Sequence, residues 1–217
     1  MRRDIRAAVA AELERARGLT LALVAAAPEA DLSRQVSPLM SPLVWDLAHI
    51  GWFEELGLVR RVGGIEPRHG GAHDELYDAF RHARAERGRL PLLEPARALS
   101  YLADVRAQTL AVLDTVDVER DNDPLLANGF VYGLVLQHEL QHRETMLQTL
   151  SLTDAPAAAP DAPPPAPDGG PAEVLVPAGP FVLGADDEPW AYDNEREPHV
   201  VEVPAFSIAR RPATNAE

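Results

Sequence analysis

The sequence predicts a mainly α-helical protein: a four-helix bundle, then a proline- and alanine-rich linker, then the beginning of a smaller α+β unit. Apolar residues recur with a helical period up to about residue 152. Proline and alanine dominate residues 153–172, and short β-type runs punctuated by glycine and proline follow in residues 173–217. A chain of 217 residues, 46% of them hydrophobic, is long enough for one ordinary domain and part of a second.

Four segments carry the apolar spacing of long amphipathic helices: residues 2–26, 41–64, 94–116 and 128–152. Ser41 is expected to cap the second helix, with Pro42 at its first helical position and the glycine pair at 63–64 ending it. Residues 65–93 form a long connection with at most one short helix, at "DELYDAF". Four such helices with one long connection are typical of a four-helix bundle.

The rest of the chain has a different pattern. The composition of residues 153–172 predicts a semi-rigid, extended linker. The runs "AEVLVPAGPFVLGA" and "HVVEVPAFSIARR" predict strands, with an acidic loop between them. Too few residues follow the linker to close a stable domain, so we expect residues 173–217 to be the start of a larger domain and the chain to be part of a longer protein.

Composition and charge exclude several classes of function. A net charge of −14 argues against nucleic acid or an anionic membrane as a partner. No apolar run reaches the length of a membrane span, and the charges scattered through the N-terminal segment argue against a signal peptide. The absence of cysteine excludes disulfides and thiolate ligands and favours a cytoplasmic location.

The stretch "LQHELQH" contains an H-E-x-x-H pattern. His138 and His142 are four residues apart and share one face of the predicted helix, in an apolar row with Val131, Val135 and Met146. Two imidazoles in such a row lose their hydration unless each finds a partner. A metal ion supplies that partner, and the alternative is a pair of core histidines hydrogen-bonded to backbone or carboxylate groups.

His49 offers a third ligand from the second helix, where it lies in a row with Trp45, Trp52 and Leu56. In a helical bundle, ligands project inward from facing helices, so the three histidines predict one metal site that is open on one side. The other histidines lie in predicted loops and are expected to be exposed to solvent: His69, His73, His82 and His199.

A zinc peptidase would need a third ligand after the H-E-x-x-H helix and a glutamate beside the metal-bound water. The helix instead continues into the linker, and Glu139 points about 100° away from His138 around the helix axis. Glu139 is therefore expected behind the ligands or at the surface, not as a catalytic base. Three neutral imidazoles suit zinc, iron, nickel or copper, so spacing alone leaves the metal open.

Several longer stretches carry a resemblance to a known family: "SPLVWDLAHIGWFEE", "LYDAFRHARAERGRLPLL", "GFVYGLVLQHELQHRETMLQTL", "VPAGPFVLGADDEPWAYDNEREPHVVEVPAF" and "RRPATNAE". In this order they closely resemble the EgtB family, the sulfoxide synthases of ergothioneine biosynthesis. The resemblance implies a DinB-like four-helix metal-binding domain in residues 1–152. It implies the N-terminal fragment of a formylglycine-generating-enzyme-like (sulfatase-modifying factor) domain in residues 173–217.

The resemblance also implies the chemistry. Non-haem iron(II) would be held by His49, His138 and His142. The substrates would be hercynine, γ-glutamylcysteine (or cysteine) and O₂, joined in an oxygen-dependent C–S bond formation with sulfoxidation. Gln141 would contact hercynine, although without the resemblance it is an ordinary exposed helix residue. Arg84 and Arg87 match a pair that holds the thiol substrate's carboxylates, for which guanidinium forks are suited; the alternative for both is ordinary surface arginine.

The family's catalytic tyrosine would lie beyond residue 217, and Tyr192 is not assigned that role. The chain alone is therefore expected to be inactive or nearly so. Two alternatives remain open. One is a DinB-type zinc-dependent thiol transferase, which would not need O₂ but has no use for the strand-forming tail. The other is a non-catalytic helical bundle that binds metal weakly.

Overall fold

The computed structural model describes residues 5–67, 69, 71–118, 122–153, 172–186, 188 and 190–213. The chain divides into two compact units, Met1–Ala158 and Ala159–Glu217. The first unit is helical and the second contains short strands. No helix among the described residues is both long enough and apolar enough to cross a membrane. The mainly helical fold class predicted from the sequence is confirmed.

Four long helical segments match the four predicted ones: α1 (Ile5–Ala25), α3 (Leu43–Glu54, continued by a π-helix over Glu55–Val62), α5 (Pro95–Thr115) and α6 (Phe130–Leu150). Helix α3 lies at the centre, packed against α5 and α6, while α1 packs against α6. Every residue of α3 except Phe53 is buried. A helix enclosed on all sides gives any polar residue on it a desolvated environment, which is the setting of His49.

The prediction that Ser41 caps the second helix is wrong. Helix α3 begins after Pro42, whose extended backbone (φ −56°, ψ 141°) occupies the cap position without a side-chain cap. The carbonyl of Pro42 accepts the backbone N–H of Trp45 at 2.9 Å. The Ser41 hydroxyl instead accepts a hydrogen bond from Arg87 at 2.9 Å. A buried arginine from a distant loop therefore competes for the cap oxygen, which local sequence patterns do not show.

The junction between α3 and the π-helix places two consecutive glutamates in the interior. Glu54 and Glu55 are both buried, with 0% and 2% of their surface exposed. Glu55 accepts a hydrogen bond from the Tyr101 hydroxyl at 2.7 Å. The segment ends near Gly63, whose N–H bonds to the Leu58 carbonyl five residues back. A Cβ at Gly63 would lie 2.6 Å from the side chain of Val112, so close packing against α5 requires glycine here.

Three further short helical segments lie before α5, and 3₁₀ segments span Ala127–Gly129 and Asp193–Glu195. A five-residue helix, α2 (Glu29–Ser33), follows α1 and was not predicted. Within the long connection, α4 spans Gly71–Tyr77 and a 3₁₀ helix spans Arg84–Arg89. The predicted short helix at 74–80 therefore begins and ends three residues earlier. Helix α4 packs against α3, which brings the Tyr77 carbonyl beside His49.

The second unit contains two antiparallel strand pairs. β1 (Glu173–Val176) pairs with β4 (Phe206–Ala209), and β2 (Gly179–Leu183) pairs with β3 (His199–Val203). Their registers place Glu173 opposite Ala209 and Gly179 opposite Val203. The predicted β-type runs do form strands. The predicted linker falls almost entirely on residues 154–171, outside the described part of the chain.

Candidate metal centre

The structure brings His49, His138 and His142 to one point. One ring nitrogen from each lies within 4.8 Å of the other two, and this is the one such group of three or more found among the described residues. The Nε2 atoms of His49 and His138 are 3.1 Å apart. The ring centroids of His138 and His142, one turn apart on α6, are separated by 4.6 Å. The predicted convergence of the three imidazoles is thus present in the fold.

Two of the three imidazoles have their outer nitrogen bonded to an acceptor. His49 Nδ1 donates to the Tyr77 carbonyl at 2.7 Å, and His142 Nδ1 donates to Asp46 Oδ1 at 3.0 Å. Because the carbonyl and carboxylate oxygens accept these hydrogen bonds, each Nδ1 is the donor and each Nε2 is left to face the other rings. Metal-binding histidines commonly have this arrangement, with the second nitrogen held by an outer partner.

Aromatic side chains fix the planes of the rings. Trp45 stacks on His49 with centroids 4.6 Å apart and an interplanar angle of 15°. On the other helix, the ring of His138 stacks on Phe53 at a centroid distance of 3.8 Å. These contacts leave the imidazoles little freedom to rotate, because a rotated ring would lose a stacking partner. The rings of His49 and His138 are therefore held in place by contacts with the protein.

Burial keeps two of the rings neutral. Desolvation, with a smaller contribution from His142, lowers the pKa of His49 to about 3. Desolvation and the two neighbouring histidines lower the pKa of His138 to about 2. Both imidazoles are uncharged at neutral pH, and a neutral imidazole is the form that binds a metal ion.

The spacing of the nitrogens fits a shared cation. With metal–nitrogen bonds of about 2.1 Å, two ligand nitrogens lie about 3.0 Å apart at a right angle and about 3.4 Å apart at a tetrahedral angle. The observed 3.1 Å between His49 and His138 falls within this interval. The chemistry of three imidazoles suits several first-row metals, so the donor set leaves the metal open, as the sequence did.

Glu139, the glutamate of the H-E-x-x-H pattern, faces away from the histidines into a buried network of four charges. Its carboxylate accepts from Arg17 at 2.8 Å and from Arg106 at 3.1 Å. Glu54 accepts from the same two arginines, at 2.7 and 2.8 Å. All four side chains are at most 5% exposed. Helices α1, α3, α5 and α6 each contribute one of them, so the network joins the whole bundle.

Of the two positions expected for Glu139, behind the ligands or at the surface, the structure excludes the surface, because Glu139 is 2% exposed. Although burial raises it, the pKa of Glu54 is lowered overall because Arg17 and Arg106 stabilise the carboxylate. Both oxygens of Glu139 are engaged by guanidinium groups, so Glu139 is not placed as a base beside the three histidines. The available signal in the sequence was an arginine on an otherwise apolar helix face, at positions 17 and 106.

A match to a protein-family model shows the superfamily to which this bundle belongs. The family model of the DinB superfamily matches residues 12–146, which include all three histidines and the four-charge network. The chain belongs to the DinB superfamily. The predicted DinB-like fold is thereby confirmed, and the matched residues cover most of the helical unit.

Curated relatives extend the likeness beyond the DinB domain. Proteins named hercynine oxygenase from Mycolicibacterium smegmatis and Mycolicibacterium thermoresistibile are 51% and 50% identical to this chain over 98% of it. The hercynine oxygenase of Mycobacterium tuberculosis is 50% identical over 96%. The matches cover 49%, 47% and 49% of those relatives, so the chain spans about half of their length. The resemblance seen in the sequence is confirmed.

The predicted substrate residues occupy different settings in the DinB domain. Gln141 is exposed on α6, between the two histidines of that helix. Arg84 is also exposed and donates to the Leu39 carbonyl at 3.2 Å. Arg87 is buried, with its guanidinium 3.6 Å from the centre of the Trp45 ring, and it donates to Ser41 and to two backbone carbonyls. The arginine pair is therefore divided into one accessible and one enclosed member.

The remaining histidines of the chain follow the sequence prediction only in part. His69 and His199 are exposed, the latter on a strand. His82 is half-buried, and its Nε2 bonds to the Glu75 carbonyl at 2.9 Å. His73, however, is buried on α4, with 7% of its surface exposed, so the prediction that it is solvated is wrong. The reason is that α4 begins before His73 and packs it against Tyr101, 4.6 Å away between ring centroids.

Proposed function

We propose that this chain is the metal-binding part of a sulfoxide synthase of ergothioneine biosynthesis and that it holds iron(II) through His49, His138 and His142. The observation that carries the proposal is the convergence of the three imidazoles, with 3.1 Å between the Nε2 atoms of His49 and His138. The proposal is supported by the identity of about half of all positions with proteins named hercynine oxygenase.

The donor set favours a thiol as one substrate. Three neutral imidazoles leave the charge of a divalent ion uncompensated. A thiolate bound beside them would offset that charge and so be favoured electrostatically. Bound iron(II) would supply the activation of O₂. The protein residues orient the ligands. Asp46 and the Tyr77 carbonyl bind the outer nitrogens of two rings, and Trp45 and Phe53 stack on the rings of His49 and His138.

The proposed reaction balances with one O₂ per turnover. The thiol of γ-glutamylcysteine or cysteine loses its S–H proton, and the imidazole of hercynine loses the hydrogen at C2. A C–S bond and an S–O bond form, and the second oxygen atom leaves as water. The four electrons removed from the substrates equal the four that O₂ accepts, so the overall change requires no further oxidant.

Substrate contacts are assigned to three residues. Arg84 is accessible and can pair with a substrate carboxylate through its guanidinium fork. Arg87 is buried against Trp45, donates to neutral oxygens and lies close enough to Asp46 for their charges to interact; we propose that it also attracts a substrate carboxylate. Gln141 is proposed to contact hercynine from its position between the two histidines of α6. The remaining contacts with hercynine, including a catalytic tyrosine, are proposed to come from the second half of the relatives' length.

The proposal is tested with two proteins: the 217-residue chain, and a chimera that joins it to the second half of the Mycolicibacterium smegmatis hercynine oxygenase. Each is loaded anaerobically with iron(II), given hercynine and one thiol, exposed to O₂ and assayed by mass spectrometry. The chimera is expected to form a product equal to both substrates less two hydrogens plus one oxygen. His138→Ala should abolish this product, and the 217-residue chain alone should form little or none.

Two results would contradict the proposal. If the chimera binds iron(II) and both substrates but forms no sulfoxide, the assigned reaction is wrong. Transfer of the thiol to an acceptor with zinc and without O₂ would instead indicate a DinB-type thiol transferase. An intact Mycolicibacterium smegmatis hercynine oxygenase, assayed in parallel, shows that the reagents and the product detection work.

A further inference from the structure

A second pair of histidines lies apart from the three proposed ligands. His69 precedes α4 and His73 lies on it, four residues later in the sequence. Their rings stack with centroids 4.6 Å apart and an interplanar angle of 24°. The pair His138 and His142 has the same sequence spacing and the same centroid separation of 4.6 Å. The second pair therefore shares the spacing and separation of two of the proposed iron ligands, although its rings are closer to parallel (24° against 52°).

Packing fixes the position of the inner ring. His73 lies edge-on to Tyr101 at 4.6 Å and to Tyr77 at 5.4 Å. Tyr101 is itself held in place, because its hydroxyl donates to Glu55 at 2.7 Å. His69 also meets the edge of Tyr101, at 5.6 Å, but its own ring is exposed to solvent. One imidazole is thus rigidly held and the other is accessible from outside.

A cavity of about 300 Å³ opens beside the two rings. Its wall is lined by both histidines and by Arg97, Ser100 and Asp104 of α5, so hydroxyl and carboxylate oxygens and one guanidinium share the space with the imidazole nitrogens. One water molecule occupies about 30 Å³ in the liquid, so the cavity has room for several waters besides a small ion. The histidine pair therefore has space in which to complete the coordination of a cation.

The electronic state of His73 suits a metal ligand. Desolvation, with a smaller effect from His69, lowers the pKa of His73 to about 4, so the ring is neutral at neutral pH. Its Nδ1 is buried and has no hydrogen-bond partner among the residues that the structure describes. A buried polar nitrogen left without a partner is unfavourable. The ring thus has hydrogen-bonding and ligand capacity that no described residue uses.

We infer that His69 and His73 form a second metal site, which takes a borderline divalent cation such as Zn²⁺, Ni²⁺ or Cu²⁺ through two imidazole nitrogens. Water from the cavity completes the coordination. Imidazole is a poor ligand for Mg²⁺ and Ca²⁺, which prefer oxygen, so those ions are excluded. With two histidines instead of three, the second site binds more weakly than the site at His49, His138 and His142. The inference does not depend on the proposed iron chemistry.

Titration of the 217-residue chain with Ni²⁺ alone, followed by calorimetry, tests this site. Wild-type protein is expected to bind two equivalents, one tightly and one weakly. The variant His138→Ala/His142→Ala should keep the weak equivalent, and His69→Gln should lose it while keeping the tight one. His69 is exposed, so His69→Gln does not disturb the core, and His82→Ala is the matched control. A single equivalent in wild type, or a weak equivalent that survives His69→Gln, overturns the inference.

A second measurement uses the double variant His138→Ala/His142→Ala, which lacks two of the three central histidines. Diethyl pyrocarbonate acylates exposed imidazoles, and mass spectrometry of the peptides gives the rate at each histidine. Ni²⁺ is expected to slow the acylation of His69 at least several-fold and to leave that of His199, which is exposed on a strand, unchanged. Equal rates at His69 with and without Ni²⁺ would show that no metal binds there.

Discussion

Nδ1 of His142 donates a hydrogen bond to Oδ1 of Asp46 at 3.0 Å, and this bond joins the two helices that carry the three central histidines. Asp46 is 1% exposed, and its other oxygen has no hydrogen-bond partner among the described residues. Burying a carboxylate costs free energy unless it is hydrogen-bonded, and for Asp46 the hydrogen bond from His142 offsets part of that cost. The bond turns Nε2 of His142 toward His49 and makes that nitrogen a stronger ligand.

Replacing Asp46 by asparagine should weaken metal binding by about 10–100-fold, because the outer partner of a ligating histidine sets its orientation and basicity. The measurement is competition for iron(II) or zinc with a chelator of known affinity. Asp74→Asn is the control: Asp74 accepts from Trp52 and Arg60, both at 2.7 Å, and touches none of the three histidines in these contacts. Equal affinity of Asp46→Asn and wild type would show that the bond has no effect on the site.

Glu139→Ala should destabilise the fold by about 3–5 kcal/mol, because it leaves Arg17 and Arg106 buried with only Glu54 and, for Arg106, the exposed Glu14 at 3.5 Å to balance them. Denaturation by urea gives the free energy of unfolding. Glu144→Ala, on an exposed position of the same helix, should change it by less than about 0.5 kcal/mol. A loss of stability no larger than that of the control would mean that the network contributes little.

The metal-free protein should lose stability as the pH falls below 6.5. The pKa values of His49 and His138 are about 3 and about 2 in the folded state, against 6.5 for a free histidine. Below pH 6.5 the unfolded chain therefore binds protons that the folded chain does not, so acid favours unfolding. Between pH 6.5 and about 5, above the range of most carboxylates, each such histidine contributes up to about 1.4 kcal/mol per pH unit.

Urea denaturation of the metal-free chain across that interval measures the slope. His138→Asn should reduce the slope without abolishing it, because His49 remains and His73, with a pKa of about 4, titrates in the same direction. A free energy of unfolding that does not change with pH over this interval would contradict the neutral, desolvated state assigned to the rings.

The two predicted substrate arginines should differ sharply when each is replaced by alanine. Arg87→Ala removes a guanidinium that lies on Trp45 and binds three oxygens, and it should lower stability by at least about 2 kcal/mol. Arg84→Ala should leave stability unchanged within about 0.5 kcal/mol. In the active chimera, Arg84→Ala should raise the KM for the thiol more than the KM for hercynine. Equal effects on both KM values would show that Arg84 does not bind the thiol substrate.

The four long helices and the three central histidines could be predicted because both follow from periodicity. A row of apolar residues containing His49, or His138 and His142, indicates an inward-facing side chain whichever helices finally pack together. The β-type runs were visible for the same reason, since residues with strand preference alternate with glycine and proline. These predictions need only local sequence.

Features that depend on contacts between distant residues could not be predicted in this way. Arg17 and Arg106 are separated from Glu139 by 122 and 33 residues, so an arginine on an otherwise apolar helix face indicates a buried charge but does not show which distant residue balances it. The burial of His73 depends on the packing of α4 against Tyr101, and the oxygen of Ser41 is taken by Arg87 from 46 residues away. Local rules of capping and exposure fail where a tertiary partner competes.

The central claim is that His49, His138 and His142 hold one metal ion together. Anaerobic titration of the 217-residue chain with iron(II), followed by removal of loosely bound metal and elemental analysis, tests it most directly. Wild-type protein is expected to retain one tightly bound iron, and His49→Ala, from the helix opposite the other two, should lose at least about 100-fold in affinity while His82→Ala does not. Retention of iron by His49→Ala at wild-type affinity would contradict the three-histidine site and the proposed function that rests on it.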